Sequence, residues 1–165
     1  MWKTLVLITL ALWLGGSLLL DTVLMPIFYV SGMMTEPGFA TTGYSMFWVF
    51  NRIELVCAAL VLTGAFVRYF QQKIVGYPSQ QLMILSALML DLALIYTYGL
   101  TPHMSALGVQ LNLFNPAVEP PALMNVLHTS YWFLEVLKLA IGGWLITLWY
   151  RSANHDLALG SISAT

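Results

Sequence analysis

Residues 122–151, ALMNVLHTSYWFLEVLKLAIGGWLITLWYR, are long and apolar enough to cross a bilayer, yet they carry His128, Tyr131, Glu135 and Lys138. Steps of three and four residues keep neighbours on one helix face. These four residues and Gly142 therefore read as one polar stripe down an otherwise apolar helix. A charge at the centre of a membrane helix costs about 2.5–3.5 kcal/mol even on lenient insertion scales. Two such charges need partners, and those must come from other membrane helices.

The composition agrees. Of 165 residues, 59% are hydrophobic and 8% charged, against about 25% charged in soluble domains. The mean hydropathy is +0.81. The net charge of −1 gives no sign of nucleic-acid binding, and the single cysteine, Cys57, excludes an internal disulfide or a cysteine metal cage. The opening MWKTLVLITLALWLGG imitates a signal peptide, but its apolar run continues through SLLLDTVLMPIFYV without a clear cleavage site. It reads as a first spanning helix.

Four hydrophobic segments emerge from the pattern: about 4–31, 45–71, 80–101 and 122–150. Each exceeds the roughly 20 residues that span a bilayer. A chain that must satisfy its own backbone hydrogen bonds in lipid then makes helices. The expected fold is all-α: a four-transmembrane-helix bundle over 1–151 with a loose cytoplasmic tail at 152–165. Lys3, Arg68, Lys73 and Arg151 all fall at one side, while 32–44 and 102–121 hold no lysine or arginine. Both termini and the turn between the second and third segments are expected in the cytoplasm. Within the longer loop, SALGVQLNLF is expected to form a short interfacial helix. The setting is a cell inner membrane or an internal membrane such as a thylakoid.

The other segments supply the polar partners. The first carries Asp21 on a face with Trp13, Ser17, Leu24 and Phe28, with Gly15-Gly16 for close packing and Pro26 to kink it or end its regular part. The second carries Asn51 and Glu54 on one face, Arg52 beside them and small residues below. The third carries Asp91, with Tyr98 seven residues on. These ten residues (Asp21, Asn51, Arg52, Glu54, Asp91, Tyr98, His128, Tyr131, Glu135 and Lys138) are expected to form one buried cluster in the outer half. It opens outward with His128 as its gate. Four acids against Arg52 and Lys138 leave two negative charges in excess, so either some acids hold protons or a cation sits among them. Arg52 is expected to pair with an acid on the first or last helix, and Lys138 with Glu135 or Asp91. Trp48, Trp132, Trp149, Tyr44 and Tyr150 fit interfacial belts.

Three stretches, ALWLGGSLLLDTVLMPIF, FNRIELV and NVLHTSYWFLEVLKLAIG, together resemble the bacterial domain-of-unknown-function 4149 family, related to eukaryotic transmembrane protein 205. Trp13, Gly15, Gly16, Pro26 and Phe28 match its first-helix pattern, and Leu127 and His128 match the start of its last helix. The resemblance covers the chain in outline and implies a small four-helix membrane domain. That family has no settled activity. A more distant likeness is to copper-resistance and b-type cytochrome four-helix proteins, which place histidines at facing positions. The first two segments here have none.

Several readings stay open. The cluster handles protons or cations, or its ion pairs only fix helix register. The chain is an assembly subunit of a larger membrane complex, or it forms a homo-oligomer. Haem through His128 and His103, or copper through His103, Met104 and His128, is a further alternative, although no cofactor is expected. There is no phosphate-binding glycine loop, H-E-x-x-H or nucleophile elbow, so no enzyme signature is present.

Overall fold

The computed structural model describes residues 2–33, 36, 38–71, 78–114 and 122–162, with the backbone alone for 40, 78–79, 109–114 and 152–162. Four helices account for nearly all of these. α1 runs over Trp2–Val30, α2 over Phe39–Gln71, α3 over residues 78–114 and α4 over Ala122–Ile162. Each contains a stretch long and apolar enough to cross a membrane: Trp2–Val30, Thr41–Gln71, Gln80–Gly108 and Ala122–Arg151. This is the pattern of a multi-pass membrane protein in contact with lipid.

The helices close into a ring. α1 packs on α2 and α4, and α3 packs on the same two. Side-chain contacts give the levels. Val6, Gly64 and Trp149 meet near one end, and Leu14 meets Gly142 above them. Trp13, Glu54 and Lys138 meet next, then Asp21 with Tyr131, and Asn51 with Thr101 lie toward the other end. Chain direction thus alternates from helix to helix.

Two glycines let α1 approach its neighbours. A Cβ on Gly142 would lie 2.7 Å from the Leu14 methyl groups, and one on Gly64 would overlap Val6 Cγ2. Gly15 and Gly143 have no neighbour within 4 Å, and Gly16 touches only the Phe50 ring. The close packing expected of Gly15-Gly16 therefore falls on Gly142 and Gly64 instead. The room beside Gly64 also admits Trp149, which is buried in the core instead of sitting in an interfacial belt. Around it Val6, Leu10, Val61, Leu82, Met89 and Leu145 form a predominantly apolar half of the bundle, in which Thr9 and Ser86 are also buried.

α1 and α3 each contain a π-helical turn, Leu20–Leu24 and Ile95–Leu100. In both, the next amide bonds five residues back: Met25 N–H to the Leu20 carbonyl, and Thr101 N–H to the Tyr96 carbonyl. Each turn ends two residues before a proline, Pro26 or Pro102. A proline lacks the N–H for the fourth carbonyl back, and its ring pushes that carbonyl aside. A wider turn accommodates both. α1 then ends at Ser31-Gly32, where Gly32 takes φ 72° and its N–H bonds to the Tyr29 carbonyl.

Three segment boundaries differ from expectation. α2 begins at Phe39, directly after Gly38. α3 continues past Pro102 to Phe114, so SALGVQLNLF extends that helix and is not a separate interfacial one. A proline that follows a turn widened for it does not stop the helix. α4 is helical to Ile162, through most of the segment expected to be a loose tail. Lys73 and 115–121 lie outside the described residues.

A buried carboxyl–lysine core at mid-depth

Lys138 is the hub. Its Nζ lies 2.7 Å from Glu54 Oε1 and 2.7 Å from Glu135 Oε2, and all three side chains are 2% exposed. Glu54 Oε1 also accepts from Trp13 Nε1 at 2.8 Å and from Ser17 Oγ at 3.3 Å. Glu135 Oε2 accepts from the Tyr96 hydroxyl at 3.2 Å. The Lys138 ammonium also lies 4.9 Å from the centre of the Tyr96 ring. All four helices therefore contribute: α1 through Trp13 and Ser17, α2 through Glu54, α3 through Tyr96, and α4 through Glu135 and Lys138.

Asp21 extends the core. Its Oδ1 accepts from the Tyr131 hydroxyl at 2.7 Å, and its carboxyl lies within hydrogen-bonding reach of that of Glu135. Two buried oxygens, Asp21 Oδ2 and Glu135 Oε1, have no hydrogen-bond donor. Asp21 sits in the π turn of α1, and Tyr96 in that of α3. A π turn holds an extra residue per turn and so swings the residues after it onto a new face. Both prolines thereby shape the core without touching it. Tyr131 packs edge-on against Phe47 and Tyr96. Toward the same end, Asn51 Nδ2 donates to Thr101 Oγ1 at 2.7 Å, with both residues buried.

The core lies at mid-depth. Glu135 and Lys138 are about 20 and 24 Å from Ala122, along a 30-residue span about 45 Å long. Its charged side chains are buried, and the half-buried Tyr131 lies on the side toward His128. Three carboxyl groups converge on one ammonium, so full ionisation would leave two negative charges in excess. A buried charge without a partner costs several kcal/mol.

Four of the ten expected cluster residues point elsewhere. Arg52 is exposed, with its guanidinium carbon 3.4 Å from the centre of the Trp48 ring and Nη1 on the Trp48 carbonyl; it pairs with no acid among the described residues. It is two residues from Glu54, about 200° around the helix. Asp91 and Tyr98 share a face, as their spacing implies, but that face is exposed. Lys138 consequently pairs with Glu135 and Glu54, not with Asp91. His128 is exposed too, with Nδ1 3.0 Å from the Met124 carbonyl. Residues 122–130 of α4 are exposed or half-exposed all round, so sharing a face with Glu135 does not bury it.

Asp21, Asn51, Glu54, Glu135 and Lys138 are buried, and Tyr131 is half-buried. Sequence reasoning does not single out Tyr96 or Thr101, and it puts Trp13 and Ser17 on the Asp21 face without giving them a role. Spacing holds a signal for Tyr96: Met89, Ala93, Tyr96 and Leu100 recur at steps of four, three and four, and all are buried. His103 is exposed, with Nδ1 2.7 Å from the Gly99 carbonyl. Among the described residues, no group of three or more His, Cys, Asp or Glu side chains is placed to hold a metal ion. Comparison with protein-family models, curated proteins and solved structures finds no match for this chain.

Proposed function

We propose that this chain is a proton-handling membrane protein whose carrier is the Asp21–Glu135 carboxyl pair. The observation that carries the reading is the two donorless buried oxygens, Asp21 Oδ2 and Glu135 Oε1, on neighbouring carboxyl groups. A proton held between them supplies the missing donor and removes one of the two excess negative charges. Lys138 and Glu54 hold the pair in place and set the local field. The lack of a three-ligand cluster among the described residues favours a proton over a coordinated cation.

Access is asymmetric. The Tyr131 hydroxyl, half-buried, leads from Asp21 toward the end of the bundle that carries His128. The opposite half is filled by Leu10, Leu14, Val61, Met89, Leu145 and Trp149. Lys3, Arg68 and Arg151 lie at that filled end, which we assign to the cytoplasm by the bias of basic residues. The pair then loads from the outer face, and release inward requires the apolar half to open. We also assign the chain to the domain-of-unknown-function 4149 family. That reading rests on the resemblance of the three stretches ALWLGGSLLLDTVLMPIF, FNRIELV and NVLHTSYWFLEVLKLAIG to the family's pattern.

The test is proton flux into vesicles that contain the purified protein and an internal pH dye. Wild type carries protons under an imposed gradient. Glu135→Gln and Asp21→Asn accumulate and fold but lose the flux. Equal rates in wild-type and empty vesicles would overturn the reading.

A further inference from the structure

Asp91 is the one acid of the four membrane-length spans that the core leaves outside. It is exposed on α3, with no hydrogen-bond or ion-pair partner among the described residues. It lies about 16 Å along the span Gln80–Gly108, itself about 43 Å long. That is some 5 Å from the middle of a hydrocarbon layer about 30 Å thick. An aspartate side chain is too short to reach water from there. Ionisable groups at such depth face a bundle interior or pair with another polar group, and Asp91 does neither within this chain.

We infer that the chain forms a parallel two-fold dimer through α3, with the two Asp91 carboxyl groups meeting at the axis. The exposed residues Ile84, Leu88, Asp91 and Ile95 succeed one another at steps of four, three and four, on the α-helical stretch that leads into the π turn. That is the 3.5-residue repeat of a left-handed helix–helix seam, in which one polar position sets register and partner number. Copies in one membrane insert the same way, so a two-fold axis along the membrane normal brings each residue to its counterpart's level. Asp91 then meets Asp91, and one carboxylic O–H donates to the other carboxyl. The exposed cation Arg52 is level with Thr101, about 15 Å away along the axis, and cannot serve. Of the exposed residues of other helices near the Asp91 level, Leu12 and Val56 are apolar, and Thr63 already donates its hydroxyl to the Ala59 carbonyl of its own helix at 2.7 Å. The inference is independent of the proton-carrier reading.

The test is disulfide cross-linking in native membranes. Single cysteines replace Leu88 or Ile95 on α3, or Val136 as an exposed control on α4, each in a Cys57→Ala background. Positions 88 and 95 are expected to give a species of twice the mass at several times the yield of position 136. Adding Asp91→Asn, which keeps a donor and an acceptor, preserves the cross-link. Adding Asp91→Leu weakens self-association roughly tenfold, the worth of about two interhelical hydrogen bonds. Equal yields at all three positions, an undiminished cross-link with Asp91→Leu, or cross-linking to a different protein bearing a basic residue would each overturn the dimer.

Discussion

Replacing Lys138 by methionine removes the hub while nearly keeping its length and volume. Nζ is 2.7 Å from an oxygen of each of two glutamates. At an effective dielectric near 20, each such contact is an attraction of about 6 kcal/mol. Burying the ammonium and the carboxylates costs several kcal/mol per ion, which offsets much of that gain. The net effect of losing one partner comes from the charges left behind. Breaking a buried pair in this way destabilises by about 3–5 kcal/mol. Helicity followed by circular dichroism through denaturation in mixed micelles should show Lys138→Met less stable by that amount. The triple variant Glu54→Gln, Glu135→Gln, Lys138→Met should recover to within about 2 kcal/mol of wild type. Its amides still accept from Trp13, Ser17 and Tyr96, and Asp21, the core acid that is left, escapes a stranded charge by keeping its own proton. A loss under about 1 kcal/mol in the single variant, or no recovery in the triple, would refute the view that this is one interdependent charged core.

Other expectations rest on the same contacts. Tyr131→Phe removes the hydroxyl that donates to Asp21 Oδ1 and should cost about 1–3 kcal/mol in the same denaturation assay. Gly142→Leu drives a side chain into Leu14 and should destabilise by about 1–3 kcal/mol; adding Leu14→Ala should return part of this. His128→Ala and His103→Ala change exposed rings bonded only to their own helix, so stability should move by no more than about 0.5 kcal/mol and vesicle proton flux not at all. Arg52→Ala should cost about 1 kcal/mol or less, through loss of the Trp48 stack.

The four spans are legible because hydropathy in lipid is a length signal, and 8% charged residues is far below the roughly 25% typical of soluble domains. The acids and Lys138 are legible because each is costly wherever it lies. Which face of α3 turns inward is not. Both its faces are apolar, each with isolated polar groups: Ser86 and Tyr96 on the buried side, Asp91 and Tyr98 on the exposed side. A soluble helix has a water-facing stripe to break that tie, and a membrane helix does not. Reading the face of the third segment through Asp91 therefore picks the wrong face. The π turns add a second obstacle. Pro26 and Pro102 announce a disturbance, but spacing alone does not say that it is a widened turn that helps to frame Asp21 and Tyr96. His128 misleads for a different reason, since the stripe is continuous but the packing against it is not.

The most direct test of the shared proton is infrared absorption of the purified protein at neutral pH, in an Asp91→Asn background so that only core carboxyl groups contribute. The account predicts a protonated-carboxyl carbonyl band that shifts in heavy water. It should persist in Tyr96→Phe and vanish in the Asp21→Asn, Glu135→Gln double variant. A spectrum with no such band, or one that the double variant leaves unchanged, would contradict it.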